Sequence, residues 1–291
     1  LGVTITIREA TQDDAVRLEA FLKRRMETSM FLRSNLREFG IGNKTADYAM
    51  RYFLRESDGE TQGVGAIANS GSLMMQAAEG LIEISEFMQS VLPDDTAYNF
   101  IIGESAQAVV MRKAFGLTNT ATAMDDVEPL FALDLQKLVA PPNNGAILRN
   151  SVQQDIPLLI EWGYDYLIET GLRKAGASAR ETVEDDVARR VDSGKLRLLT
   201  IGDKPVAQTG FNAVHPYSVQ IGGVYTPPEN RRQGYGGLAV ALHLQEVRAQ
   251  GVQKAILFSA NEYASRAYRG IGFEQIGHYT LTIFAPPETE D

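Results

Sequence analysis

The sequence predicts an α+β protein: a mixed, largely antiparallel sheet flanked by helices, with the unit present twice in tandem. Three observations lead there. The stretch VAPPNNGAIL at 139–148 packs Pro, Asn and Gly between apolar runs near the middle of the 291 residues, as a boundary loop does. The segments that open each half read alike. The second half then runs β-α-α-β-β-β-α-β-α-β, with three strands at hairpin spacing. Two domains are expected, at 1–140 and 146–285.

The opening of each half carries the repeat. ITIREATQDDAVRLEAF (5–21) aligns with AILRNSVQQDIPLLIEW (146–162) at a constant offset, so that Arg8 meets Arg149, Gln12 meets Gln153, Asp14 meets Asp155 and Leu18 meets Leu159. Each segment reads as strand, polar turn and amphipathic helix. In the second half, TVEDDVARRVDSG (182–194) reads as a helix with Thr182 as cap and Gly194 as stop. KLRLLTI (195–201), VAQTGFNAV (206–214) and VQIGGVYT (219–226) read as an antiparallel meander. A helix to about Gln250, the strand KAILFSA (254–260), the helix NEYASRAYRG (261–270) and a last pair of strand-like runs over 272–284 complete the order.

Composition sets the limits. Hydrophobic residues make up 44% and charged residues 22% of the chain, an ordinary globular balance. A net charge of −9 argues against broad contact with nucleic acid or anionic membrane, so neither is an expected partner. The absence of cysteine excludes disulfides, thiolate metal sites and a cysteine nucleophile, and no metal is expected. The start, LGVTITIREATQDDAVRL, lacks the pattern of a signal peptide, and Leu1 in place of Met points to a start that was trimmed or lies upstream. No run reaches the roughly 18 apolar residues of a membrane span. The expectation is a cytoplasmic enzyme or binding protein.

The stretch VYTPPENRRQGYGGLAVALHL (224–244) carries the chemistry. Two arginines and three glycines stand at the mouth of a helix, where unpaired N–H groups and the helix dipole attract an anion. Glycine lets the backbone approach the ligand closely. The ATP-type loop needs a lysine after its glycines, and none follows. Gly234, Gly236 and Ala239 fit the dinucleotide spacing G-x-G-x-x-A, but TPPENRRQ separates strand from glycine, and a meander precedes it.

At this point the chain resembles the GCN5-related N-acetyltransferases, whose signature is Q/R-x-x-G-x-G/A after a bent strand and opening a helix. Arg231, Gly234 and Gly236 match it, and NEYASRAYRGIGF downstream matches the family's next helix and turn. The resemblance covers about 146–284 and implies a tandem acyl-CoA N-acyltransferase fold, with 1–140 a degenerate second copy or an unrelated accessory domain. It also implies acetyl-CoA as co-substrate and an amine of unidentified kind as acceptor. The implied cofactor-binding residues are Val224, Tyr225, Arg231, Arg232, Gln233, Gly234, Tyr235, Gly236, Gly237, Asn261 and Ala264. Tyr268 is the implied catalytic acid for the leaving thiolate, and N–H groups near Val224 and Tyr225 polarise the thioester.

Other readings stand beside these. Asn261 reads equally as a helix cap, Tyr268 as a packed aromatic, and Arg266 and Arg269 as a solvated helix face. Asn261, Ala264 and Tyr268 share a face by their spacing. VQIGGVYT holds no carboxylate, which leaves His215, Glu229, Glu262 or a water as base. Trp162 and Tyr164 read as acceptor-pocket lining or core. In the first half, setting Gly116 against Gly272 places Ser105 opposite Asn261 and Arg112 opposite Tyr268, and no R-x-x-G-x-G occurs before Pro141. The functional expectation is an N-acetyltransferase with one working site. The alternative is a non-catalytic acyl-CoA binder or sensor.

Overall fold

The computed structural model describes residues 4–172 and 175–285. These form two compact units, Leu1–Glu128 with Gly277–Asp291, and Pro129–Ile276.

The first unit contains β1 (Ile5–Glu9), α1 (Ala15–Lys23), α2 (Met26–Phe39), β2 (Met50–Ser57), β3 (Glu60–Ala68), β4 (Ser72–Ala77), α3 (Leu81–Val91), β5 (Phe100–Glu104) and α4 (Ser105–Ala114). Next along the chain comes β6 (Thr122–Asp134). The second unit contains β7 (Ala146–Asn150), α5 (Ile156–Glu169), α6 (Ala177–Asp192), β8 (Leu196–Ile201), β9 (Lys204–His215), β10 (Ser218–Tyr225), α7 (Tyr235–Ala249), β11 (Lys254–Phe258) and α8 (Glu262–Gly270). The last element is β12 (Glu274–Phe284).

Both units follow one plan. In the first, β1 to β4 pair antiparallel in sequence, β4 pairs β5 in parallel, and β12 adds antiparallel to β5. In the second, β7 to β10 pair antiparallel, β10 pairs β11 in parallel, and β6 adds antiparallel to β11. The α+β class and its duplication are therefore present in the backbone. The strand that completes each unit comes from the other half of the sequence. Leu130 to Asp134 of β6 pair with Phe258 to Lys254, and Tyr279 to Ile283 of β12 pair with Glu104 to Phe100. The compact units thus divide at 128/129 and 276/277, whereas the loop composition placed the divide at 140/146. The expected pair of runs at 272–284 is one strand of 11 residues.

Local chemistry explains most elements. In the first unit, Leu18, Leu22 and Leu36 pack with Tyr52, Leu54 and Val64, the inward face of β2 and β3. On the other side of that sheet, Phe53, Met75, Ile84 and Met88 form a second cluster. In the second unit, Val240 and Leu244 of α7 meet Val219, Ile221 and Leu257, while Trp162, Val183 and Val187 cover Leu196 and Leu198. Helix α6 starts at Ala177, before the expected Thr182. The Thr182 hydroxyl donates back to the Ser178 carbonyl at 2.8 Å inside the helix, so it is not the cap. Gly194 does end the helix, with φ of 65° and N–H donation to Val191 O at 3.0 Å.

Candidate active site

The site is built on β10. Its parallel pairing with β11 covers Ser218, Val219 and Gln220, and among the described residues Ile221 to Tyr225 have no strand partner on that side. The register with β9 shifts between Gly222 and Tyr225, a bulge. Gly223 has φ of 67°, which a glycine adopts without strain.

Two side chains hold this bulge by its carbonyls. Arg190 Nη2 of α6 donates to Gly222 O at 3.2 Å, and Gln208 Nε2 of β9 donates to Gly223 O at 3.0 Å. Arg190 also runs where a Cβ on Gly210 or Gly223 would stand, so glycines make its path. In a trans peptide the N–H points opposite to the C=O. With the Gly223 carbonyl turned to Gln208, the Val224 N–H is turned the other way. A polarising N–H is expected from the sequence at this part of the strand, near Val224 and Tyr225.

Beyond the bulge, Tyr225 is part of the core, its ring 6.1 Å from that of Trp162. Trp162 is accordingly core, and Tyr164 accepts from Gly176 N at 3.2 Å. The Tyr225 hydroxyl reaches Asp165 Oδ2 at 3.4 Å, and burial together with the Glu169 and Asp165 charges pushes its pKa up to about 12. Asp165 and Glu169 were missed in the sequence, although their i, i+4 spacing in DYLIE places both on one face of α5.

Arg231 does not stand free for a phosphate. Its Nη2 donates to Glu169 at 2.7 and 2.8 Å, its Nε donates to Thr226 O at 2.9 Å, and its head lies 5.7 Å from the Tyr225 ring centroid. It ties both ends of the loop to α5. Arg232 is exposed, has φ of 62° and makes no hydrogen bond or ion pair among the described residues. Gly234 is the N-cap of α7 with φ of 79°, and the first helical bond runs from Leu238 N to Gly234 O at 3.0 Å. The N–H groups of Tyr235, Gly236 and Gly237 are thus left without intrahelical acceptors. The Gln233 side chain accepts from the Tyr235 hydroxyl at 3.1 Å.

The three glycines have different causes. Gly234 supplies the left-handed turn, with open space where its Cβ would be. A Cβ on Gly236 would lie 3.2 Å from Thr226 Oγ1, so this glycine keeps loop and helix close. A Cβ on Gly237 would meet Ala267 Cβ at 3.6 Å, so this position faces α8.

Asn261 caps α8, its Oδ1 accepting from Ala264 N at 2.9 Å. It stands just before the helix, while Ala264 and Tyr268 pack on the core between α7 and β11. Tyr268 is 7% exposed and meets Phe273 edge-on at 6.0 Å. Glu262 pairs with Arg266 and Arg269 at 3.3 and 3.2 Å along the helix face. His215 is buried where β9 turns into β10, at the end of β10 opposite the bulge. Glu229 lies exposed in the loop. In the first unit the residue that caps the matching helix is Glu104, through Ala106 N at 3.2 Å and Gln107 N at 3.1 Å, one place before the expected Ser105. Helix α4 is one residue longer than α8. Among the described residues no acidic or histidine cluster could hold a metal, and no helix is long and apolar enough to cross a membrane.

The fold is shared with solved GCN5-related N-acetyltransferases, and its plan occurs twice in the chain. Residues 207–282, from β9 through the glycine loop and α8 into β12, match the family described as FR47-like protein. A Drosophila protein solved by structural genomics has the same fold with a TM-score of 0.68 at 13% identity, over 97% of this chain and 99% of its own. A GCN5-related N-acetyltransferase from Kribbella flavida gives 0.56 at 16% identity, over 90% and 95%. A tandem GNAT protein of the clavulanic acid pathway gives 0.53 at 14% identity, over 98% and 100%. No curated protein matches the chain in sequence.

Proposed function

We propose that the second unit binds acetyl-CoA and transfers its acetyl group to an amine. The observation that carries this is the bulged end of β10, released from β11 after Gln220 and followed by the glycine-led start of α7. The first-turn amides of α7, with Arg232 beside them, suit a diphosphate. The gap between β10 and β11 suits a narrow pantetheine chain. Acetyl-CoA supplies the activated acyl group.

The chain's own groups would act as follows. The Val224 N–H faces the thioester oxygen and stabilises the charge that develops there as the amine nitrogen bonds the carbonyl carbon. The C–S bond breaks, and the sulfur takes a proton. Tyr268 is the donor on this reading, held in place by Phe273. The amine gives up a proton to a base or through water. Asp165, tied to the bulge by Tyr225, is the carboxylate the fold brings to this strand.

Thiol release from acetyl-CoA over a panel of amines, with calorimetry of CoA binding, tests the proposal. Turnover with any amine above the rate of hydrolysis supports it. CoA binding without transfer would support the non-catalytic binder, and no binding would remove both. Tyr268→Phe is expected to lower kcat about tenfold or more. An unchanged kcat removes the tyrosine from the chemistry.

A further inference from the structure

Arg190 reaches the bulged end of β10 along a path that glycines keep open. A Cβ on Gly210 or Gly223 would collide with its guanidinium, and Gly222 O accepts from its Nη2 at 3.2 Å. The side chain is 16% exposed, and its Nε is buried without a hydrogen-bond partner. Among the described residues its charge is answered by Asp186 alone, at 3.5 Å, and that carboxylate already accepts from Arg189 at 2.5 Å. Two guanidinium groups share one carboxylate beside the bulge, which leaves a partly buried positive charge incompletely balanced.

Gln220 faces the same side of the sheet. Val219 and Ile221 pack against α7, so alternation along the strand turns Gln220 to the opposite face, the one that Arg190 crosses. Gln220 is fully buried, and neither its Oε1 nor its Nε2 has a hydrogen-bond partner. It is also the last residue of β10 in register with β11, at the closed end of the gap. Next to it on this face, the amide of exposed Asn212 lies where a Cβ on Gly222 would stand.

The duplication shows that these polar groups are not a packing requirement of the fold. The β4 strand leaves β5 after Met74 as β10 leaves β11 after Gln220, so an apolar side chain holds the matching place in the first unit. Two residues on, Gln76 opposite Val64 stands where the second unit has Gly222 opposite Gly210. The Gln76 Oε1 there accepts from Thr28 Oγ1 at 2.5 Å. With Val64 and Gln76 in place of the glycines, the first unit has no such path.

We propose that Arg190 and Gln220 select the acceptor, an amine that also carries a carboxylate, as an amino acid does. This rests on the acetyl-transfer reading of the second unit and names the substrate class of the same site. The carboxylate accepts from the Arg190 guanidinium and from Gln220 Nε2, and it balances the charge that Asp186 leaves open. Arg190 meets β10 before Val224, and Asp165 meets it after, through the Tyr225 hydroxyl. The two charged ends of a zwitterion therefore find opposite partners along one strand. A plain amine leaves the guanidinium and the amide unanswered, and the site discriminates against it.

The test compares the standard amino acids with their carboxamides and their decarboxylated amines, by thiol release from acetyl-CoA and by calorimetry with CoA present. The unaltered protein is expected to favour a free amino acid in kcat/KM by about tenfold or more, the range of a hydrogen bond to a charged group. Arg190→Met is expected to bring that preference close to unity, and Arg190→Lys to restore part of it. If Arg190→Met lowers turnover of all three forms alike and keeps their ratio, the arginine only shapes the bulge and its selecting role is removed. Gln220→Met, which takes the side chain of the sister unit, is expected to keep or raise the melting temperature while the preference falls, because it removes an unpartnered buried amide. A lower melting temperature with the preference intact would make Gln220 a packing residue. Acetylation of amines without regard to the carboxylate overturns this inference and leaves the transferase reading standing. Carboxylate-dependent binding without any transfer does the reverse. No preference in turnover or binding by the unaltered protein removes the subsite, whether or not the variants fold.

Discussion

Arg149 grips Asp155 with two hydrogen bonds of 2.7 and 2.8 Å, and Arg8 grips Asp14 in the same way at 2.7 and 2.7 Å. In each case an arginine at the end of a unit's first strand holds a carboxylate just before its first helix. The carboxylate also accepts a backbone N–H, from Val152 at 2.9 Å and from Thr11 at 2.8 Å. The pair fixes the strand-to-helix turn twice in one chain. Its parallel, bidentate form gives it geometric definition that a single contact lacks.

Asp155→Asn is expected to lower stability by about 1 kcal/mol at neutral pH, since the arginine side is partly exposed. Hydrogen bonding by Arg149 holds the Asp155 carboxyl below its ordinary 3.8. A depressed carboxyl contributes fully above the unfolded value and loses its contribution as pH falls through the folded one. Thermal melts should therefore separate the two proteins at pH 7 and bring them together in strong acid. A separation that does not narrow with acid would mean that the charge is irrelevant.

His243 supplies a second pH effect. It is 1% exposed, stacked on Phe211 at 3.8 Å, and burial, aided by the Arg197 charge, lowers its pKa to about 3. The unfolded chain binds this proton below about 6.5 and the folded chain does not. Its contribution is complete above that value and declines as pH falls toward 3. His243→Leu is expected to flatten the melting temperature between these limits, and an equal slope would show that other groups set it.

The role of Arg231 can be decided by its partner. If the arginine acts by tying the loop to α5, Glu169→Gln will weaken CoA binding as Arg231→Ala does, and the double variant will be no worse than either. If it reaches the phosphate directly, Glu169→Gln will leave binding unchanged or tighten it, because the competing carboxylate charge is gone. Calorimetry of the three variants separates these outcomes. The tie seen here, through Glu169 and Thr226, leads us to expect the first.

Gln208 is expected to act on rate and not on affinity. It is 5% exposed and holds the Gly223 carbonyl, and through that peptide it orients the Val224 N–H. Gln208→Leu should lower kcat about tenfold, below the hundredfold typical of losing an oxyanion donor outright. The KM for acetyl-CoA should change little, because the proposed diphosphate contacts are at α7. Equal losses in kcat and affinity would show that the variant disturbs the whole strand.

Which of these features the sequence revealed follows from how local their causes are. The element order was readable because periodicity and turn residues act within a few positions, as in the three strands from Leu196 to Tyr225. Arg8 and Arg149, with their aspartates, were readable as a repeat because strand, clamp and helix are adjacent. The glycine loop was readable because its backbone conformation selects its residues. The exchange of β6 and β12 left no local mark, since either strand has the pattern to pair with either edge. Glu169 meets Arg231 across 62 residues, and Arg190 meets Gly222 across 32, so tertiary packing alone brings them together. Thr182 fits a cap by its type, yet it lies inside a helix whose start at Ala177 is set by burial of Ala179 and Val183.

The neighbouring glycines of α7 should respond in opposite ways. Both lie in the helix with no positive φ, so an added methyl faces no backbone strain, and replacing a helical glycine by alanine gains up to about 1 kcal/mol. At Gly237 the new Cβ would meet Ala267 at 3.6 Å, an ordinary contact. Gly237→Ala is expected to raise the melting temperature slightly and keep CoA binding. At Gly236 the new Cβ would come within 3.2 Å of Thr226 Oγ1, and aspartate adds a negative charge beside the amides that suit a diphosphate. Gly236→Asp is expected to lose CoA binding while the fold persists, as circular dichroism would show. If Gly236→Asp binds CoA normally, the coenzyme does not use this helix start. If Gly237→Ala alone loses binding, the close approach to the ligand lies one residue further along than proposed.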